Sequence, residues 1–183
     1  MRTPQEARRI RLESDYREML NIRGSIIQWE ALSGTGRQVE AYRLTVRVRT
    51  VIRNGQGPTS HRDEHTILLT LPPSYPEAAP ETLMQTTPAP FHPNWFVGGK
   101  WCYGTWIISE GLGHHVIRMI RTLQFDPEIT NAESPANRDA TEWYLANLSG
   151  GCFPCDTQVL PDPTKSRMEL LSQKKMFEIT EVT

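Results

Sequence analysis

Residues 4 to 21 carry apolar side chains at helical spacing. Ile10, Leu12, Tyr16, Met19 and Leu20 recur with a period near 3.6, Pro4 suits a first helical turn, and Glu6 follows it. Asn21 to Gly24 supplies a stop. The period then falls to two. Ile26, Ile27, Trp29 and Ala31 open a short strand. From Tyr42 to Ile52 apolar and polar positions largely alternate, which predicts one long strand with one wet face. Arg53 to Pro58 reads as a turn, His65 to Leu71 as a third strand and Glu81 to Thr86 as a fourth. The run from Pro72 to Pro80 cannot be regular sheet, because proline has no N–H to donate.

The stretch after Thr86 has no period through Thr105. Residues 115 to 124 read as a helix with Val116, Ile117, Ile120 and Leu123 inward, stopped by Phe125-Asp126-Pro127. Ser134-Pro135 opens a last helix, with Ala140, Trp143, Tyr144 and Leu145 as its core face. The sequence therefore predicts an α+β fold: an N-terminal helix, a four-stranded antiparallel meander and C-terminal helices. Composition loosens from Gly150, so residues 1–150 read as the domain and 151–183 as an extension. Within that extension, 156–166 reads as a linker, 167–179 as a segment that regains structure, and Phe177 to Val182 as a candidate added strand.

Composition narrows the function classes. The net charge is −1, which gives no reason to expect nucleic acid or an anionic membrane as partner. No apolar stretch approaches the ~20 residues a membrane helix needs. The first twenty residues hold basic side chains but no apolar block, so no secretory leader is expected there. The three cysteines, Cys102, Cys152 and Cys155, are an odd and widely split set. That is not a disulfide framework, and a reducing, cytoplasmic setting is the expectation.

The candidate chemistry lies in the irregular middle, Phe91 to Cys102. His92-Pro93-Asn94 is followed by Gly99, seven residues after the histidine, and by Cys102, ten after it. Tyr75-Pro76 with Pro80 precedes this stretch, and Ser134-Pro135-Ala136-Asn137 with Ala140 follows it. In this register and order the chain resembles the ubiquitin-conjugating enzyme family over about residues 5 to 148, and looks most like its divergent prokaryotic branch. It departs from the family after the cysteine. Trp106 stands closer than usual, Gly111-Leu112-Gly113 replaces the usual segment, and the loop Asp126 to Ser134 is longer.

The resemblance implies the ubiquitin-conjugating fold, with Cys102 accepting the C-terminus of a ubiquitin-like protein as a thioester and passing it to a lysine amine. A thiolate is both nucleophile and leaving group, which that chemistry needs. Asn94 would donate to the oxyanion, or else brace the loop after Pro93. Ser134, beside Glu133, would orient the incoming lysine, and it also suits a plain helix N-cap. His92, Pro93, Gly99, Tyr75 and Pro76 would shape the site loop, with a general-base role for His92 as the alternative. Trp101, Tyr103 and Trp106 would wall the site.

The implied partners are the ubiquitin-like protein, an activating enzyme met through the N-terminal helix with its Arg2, Arg8, Arg9 and Arg11, and a deconjugating metalloprotease from a neighbouring gene. The implied setting is a bacterial conjugation system, with antiphage defence as its candidate role. No cofactor is implied, because ATP is consumed by the activating enzyme. The arginines alone fit a solvated helix face equally well.

Two other classes compete. A non-catalytic ubiquitin-binding variant of the fold would lack the cysteine. A cysteine hydrolase would need His114 or His115 beside Cys102. Cys152 and Cys155 form a Cys-x-x-Cys pair, and with His114 and His115 they make the one candidate zinc set. The pair also suits a redox couple or core residues.

Overall fold

A computed structural model describes residues 3–165. The chain opens with α1 (Pro4–Ile22). Thr3 caps it, accepting from Glu6 N–H at 3.2 Å while the Glu6 carboxylate accepts from Thr3 N–H at 2.9 Å. This reciprocal box satisfies two of the helix's unpaired donors. Its inward face is Leu12, Asp15, Met19 and Ile22. Leu12 and Met19 are inward as expected and Tyr16 packs on the core, but Ile10 and Leu20 are exposed, and Asp15 takes a core position.

Strands β1 (Ile27–Thr35) and β2 (Gln38–Val46) form a hairpin. Next come β3 (Thr50–Arg53) and β4 (Thr59–Arg62), which form a separate two-stranded sheet. Then β5 (His65–Thr70) and β6 (Glu81–Met84) complete the main sheet, in the order β1-β2-β5-β6 with every pair antiparallel. The four-stranded antiparallel sheet is thus present, with a second hairpin inserted into it.

The single strand expected from Tyr42 to Ile52 is two. Alternation persists through Tyr42, Leu44, Val46, Val48 and Thr50, all buried, and then slips one place at Val51. Regular strand stops after Val46, where the backbone groups of Arg47, Val48 and Arg49 bond to Ile26 and to the His65 and Asp156 side chains. Arg47 N–H donates to Ile26 O at 2.8 Å, and Val48 O faces His65 Nε2 at 2.9 Å. Arg49 N–H donates to the Asp156 carboxylate at 2.6 Å.

Helix α2 (Leu112–Leu123) lies against α1. Its own N-cap, Gly111, offers no side chain, and α1 supplies the missing acceptors. Asp15 accepts from Leu112 N–H and Glu18 from Gly113 N–H, each at 2.9 Å. Carboxylates at a helix N-terminus are favoured by the dipole as well. A Cβ on Gly111 would fall 2.1 Å from the Glu18 carboxylate, so a side chain there would push that carboxylate off the helix end.

Helix α3 (Arg138–Asn147) is followed by a 3-10 turn, Leu148–Gly150. Ser134-Pro135 does not open it. Both are exposed, and the cap is Asn137, whose side chain accepts from Ala140 N–H at 3.1 Å. Leu145 is exposed rather than core, whereas Thr141 is buried.

Two clusters hold the fold. The larger lies between the sheet and the α1/α2 pair and includes Trp29, Tyr42, Leu44, Ile67, Leu69, Met119 and Ile120. The smaller gathers Val51, Phe91, Phe125, Ala140 and Tyr144, with Phe153 stacked on Phe125 at 5.0 Å. Residues 151–165 lack regular structure, but they are not a free linker. Cys155 N–H donates to Gln124 O at 2.9 Å, Leu160 packs on the larger cluster, and Asn21 donates to Pro163 O at 2.7 Å. Expectations for 167–179 and for Phe177–Val182 lie outside the described residues.

Candidate functional site

The irregular stretch after β6 is tied down at both ends. Phe91 N–H donates to Val51 O at 2.8 Å, and Met84 N–H donates to Gly99 O at 2.8 Å. Between them, His92 is fully buried and its Nδ1 accepts from Asn94 N–H at 2.9 Å. An accepting Nδ1 requires the neutral ring with its proton on Nε2. Burial pushes the His92 pKa down to about 3, which reinforces that state. Sealed from solvent and packed 4.2 Å from the Phe125 ring, His92 is built as a loop brace rather than a base.

Gly99 sits at φ 89° in the turn before the cysteine, and a Cβ there would approach Met84 O to 2.9 Å. Only glycine takes that place without strain. The turn returns the chain so that Trp101 bridges Trp95 and Cys102 N–H donates to Asn94 O at 2.9 Å. Cys102 is half-buried in a cavity of about 300 Å³, shared with Asn94, Tyr103, Arg118, Thr122, Asn131 and Ser134.

The structure therefore brings Cys102, Asn94 and Ser134 to one cavity, although 40 residues separate the first and last of these in sequence (94 to 134). Asn94 is nearly buried and spends its side chain on the far wall. Its Nδ2 donates to Asn131 O at 2.9 Å, and its Oδ1 accepts from Asn131 N–H at 2.8 Å. Pro93 O accepts from Ala136 N–H at 2.8 Å and from Asn137 N–H at 3.3 Å. These bonds hold 136–137 extended against the loop, which is why the last helix starts at Arg138 and not at Pro135. The tripeptide His92-Pro93-Asn94 is thus a bracket for the segment 131–137.

The chain matches no model of a known protein family. No curated protein matches it either.

Two residues of this cavity, Arg118 and Asn131, carried no signal in the sequence. Arg118 on α2 donates to Tyr103 O at 2.6 Å and forms a two-pronged pair with Glu110, at 2.9 Å on each oxygen. Burial alone would raise the Glu110 carboxyl. Hydrogen bonding to His115 and Arg118 outweighs it and brings the carboxyl to about 2. Arg118 also lies 5.2 Å from the Trp101 ring centre. The residue after Cys102 is therefore fixed from α2, as Cys102 itself is fixed from Asn94. Asn131, the second, is an unremarkable loop asparagine until its position between Asn94 and Ser134 is known.

Tyr75 is buried behind the site rather than in it. Its hydroxyl donates to Asp15 at 2.5 Å and accepts from Arg11 at 2.9 Å, and Arg11 is paired with Asp15 at 2.8 Å. Pro76 contributes its carbonyl, which accepts from Trp106 Nε1 at 2.8 Å. The N-terminal arginines are not one solvated face. Arg8 donates to Pro72 O, Tyr75 O and Glu40, and Arg11 reaches Ile108 O and Glu110 O. Arg9 remains outward, paired with Glu13, and Arg2 lies outside the described residues.

The four candidate zinc ligands do not meet. His114 faces Glu18 at 3.3 Å, and His115 is buried 5.0 Å from the Trp101 ring centre. Among the described residues no group of three or more His, Cys, Asp or Glu side chains could hold a metal ion. The Cys155 thiol points at Arg49 O at 3.2 Å, and burial pushes its pKa up to about 12, which keeps it protonated and inert. All three cysteines are free, and Cys152 is exposed. Neither His114 nor His115 lines the Cys102 cavity, so the dyad a cysteine hydrolase needs is not assembled from them. Among the described residues no helix is long and apolar enough to cross a membrane.

Proposed function

We propose that this chain adopts the ubiquitin-conjugating fold and is an acyltransferase that carries a ubiquitin-like protein as a thioester on Cys102. One observation carries the reading: a half-buried free thiol opens into a small cavity between the His92-Pro93-Asn94 bracket and the Ser134 segment that the bracket holds.

The chemistry is two acyl transfers. The Cys102 thiolate attacks the thioester carbonyl on an activating enzyme, a new C–S bond forms, and the activating enzyme's sulfur leaves as thiolate. A lysine amine then attacks the Cys102 thioester. A C–N bond forms, the C–S bond breaks, Cys102 leaves as thiolate, and the ammonium formed gives up a proton. Asn94 holds the loop that shapes the cavity, and Ser134 with Glu133 faces the incoming amine. The partners are a ubiquitin-like protein, its activating enzyme and a deconjugating metalloprotease, in a bacterial conjugation system of the antiphage-defence kind.

The test mixes the protein with the activating enzyme, the ubiquitin-like protein and ATP encoded or supplied alongside it. A thiol-sensitive adduct on Cys102 is expected, and Cys102→Ser should trap a reductant-resistant ester. An adduct that persists in Cys102→Ala, or none in the wild type, refutes the reading. A Cys102→Ala protein that still does its cellular task would point to the non-catalytic binding variant instead.

A further inference from the structure

The bracket leaves one stretch of the cavity wall to be explained. Asn94 fixes the backbone of Asn131, and Pro93 fixes residues 136 and 137. Glu133 and Ser134 lie between these anchors and are both exposed. Neither Asn94 nor Pro93 bonds to them. Their backbone is instead gathered by the Asn131 side chain, whose Oδ1 accepts from Glu133 N–H at 2.9 Å and from Ser134 N–H at 3.4 Å. One carbonyl oxygen with two lone pairs thus turns the chain back on itself. Asn131 receives its own position from Asn94, and the Ser134 it steers lines the Cys102 cavity.

We infer that Asn131 is a positioning residue for the amine-acceptor step, acting through Glu133 and Ser134. The inference rests on the Cys102 reading above. Charging Cys102 needs only the thiolate and the incoming thioester, and that step does not use segment 133–134. Aminolysis needs the lysine nitrogen held on line with the carbonyl carbon while it loses a proton. A segment displaced by an ångström loses that alignment, and such displacement lowers rates by up to about a hundredfold.

Three measurements on the full chain separate the possibilities. Single-turnover discharge of the Cys102 thioester is followed with free lysine and with hydroxylamine, a small nucleophile that reacts without needing a held side chain. Asn131→Ala should charge at the wild-type rate, lose lysine discharge by about ten- to a hundredfold, and keep hydroxylamine discharge within about twofold. Asn131→Asp retains an oxygen that accepts both N–H groups and should restore lysine discharge to near wild type. A merely structural role would lower charging and both discharges together.

Asn131→Ala discharging to lysine like the wild type overturns the inference while leaving Cys102 as carrier. So does Asn131→Asp discharging as poorly as Asn131→Ala. Asn131→Ala that fails to charge also overturns the inference, because it shows a merely structural role for Asn131. A wild type that never charges refutes the Cys102 reading itself.

Discussion

Asn94 and Asn131 grip each other through two bonds, the Asn94 carboxamide meeting the backbone N–H and C=O of Asn131. The Asn94 carboxamide donates to Asn131 O and accepts from Asn131 N–H, while its own backbone carbonyl accepts from Cys102 N–H. One residue therefore holds both the thiol and the opposite wall of its cavity. That dual use gives the first prediction. Asn94→Ala frees two hydrogen-bonding groups of the 131–137 segment and should cost about 1–3 kcal/mol by urea unfolding. Asn94→Asp should do no better, since it sets a second acceptor against Asn131 O. An Asn94→Ala protein as stable as the wild type would show that the clasp contributes nothing.

The Tyr75 hydroxyl joins α1 to the turn after β5 through Asp15 and Arg11. Burial pushes the phenol pKa well up, and the adjacent Asp15 charge adds to it, so Tyr75 stays a donor. Tyr75→Phe should cost about 1–3 kcal/mol by leaving Asp15 short of a partner. Asp15→Ala should cost more, about 3–5 kcal/mol, because Arg11 and Leu112 N–H both lose their acceptor in the interior. Thermal and urea unfolding of the pair would test the order, and equal losses would contradict it.

Stability should fall on mild acidification. Burial lowers His65 to about 4 and His92 to about 3. In the unfolded chain each titrates near 6.5, so between 6.5 and those values the unfolded state binds more protons. Stability is complete above pH 6.5 and is lost as pH drops through the window, at up to about 1.4 kcal/mol per pH unit for each histidine. Below about pH 4.5 lowered carboxylates such as Glu110 add losses of the same sign. Urea midpoints from pH 7.5 to 4.5 measure the slope. His65→Gln should flatten it, and an unchanged slope would exclude His65 as a contributor.

Gly99→Ala forces a Cβ against Met84 O in a left-handed turn. Strain of about 1–2 kcal/mol is expected from the backbone alone. The turn sets the position of Cys102, so the charging rate should drop with stability. A Gly98→Ala control, where a Cβ meets open space, should leave both unchanged. Equal behaviour of the two variants would disprove the argument from geometry.

The sequence alone determined what short-range physics controls. A 3.6 period marked α1 and α2, alternation marked β2 and β5, and prolines marked the unpaired stretches, so the α+β order is legible in the sequence. The Cys102 stretch stood out only by resemblance, since His92-Pro93-Asn94, Gly99 and Cys102 keep a known family's spacing along one loop. Tertiary structure decided the rest. The break after Val46 was invisible because the inward pattern runs on through it, while the backbone there bonds to Ile26, His65 and Asp156. Ser134-Pro135 reads as a helix start in isolation, yet Pro93 O claims the next two amides and defers the helix to Asn137. Arg8, Arg11, Glu110 and Arg118 look like surface charges, and they are tied inward by partners up to 99 residues away. Pairing across such distances depends on how the sheet and helices close on one another, and no local period records it.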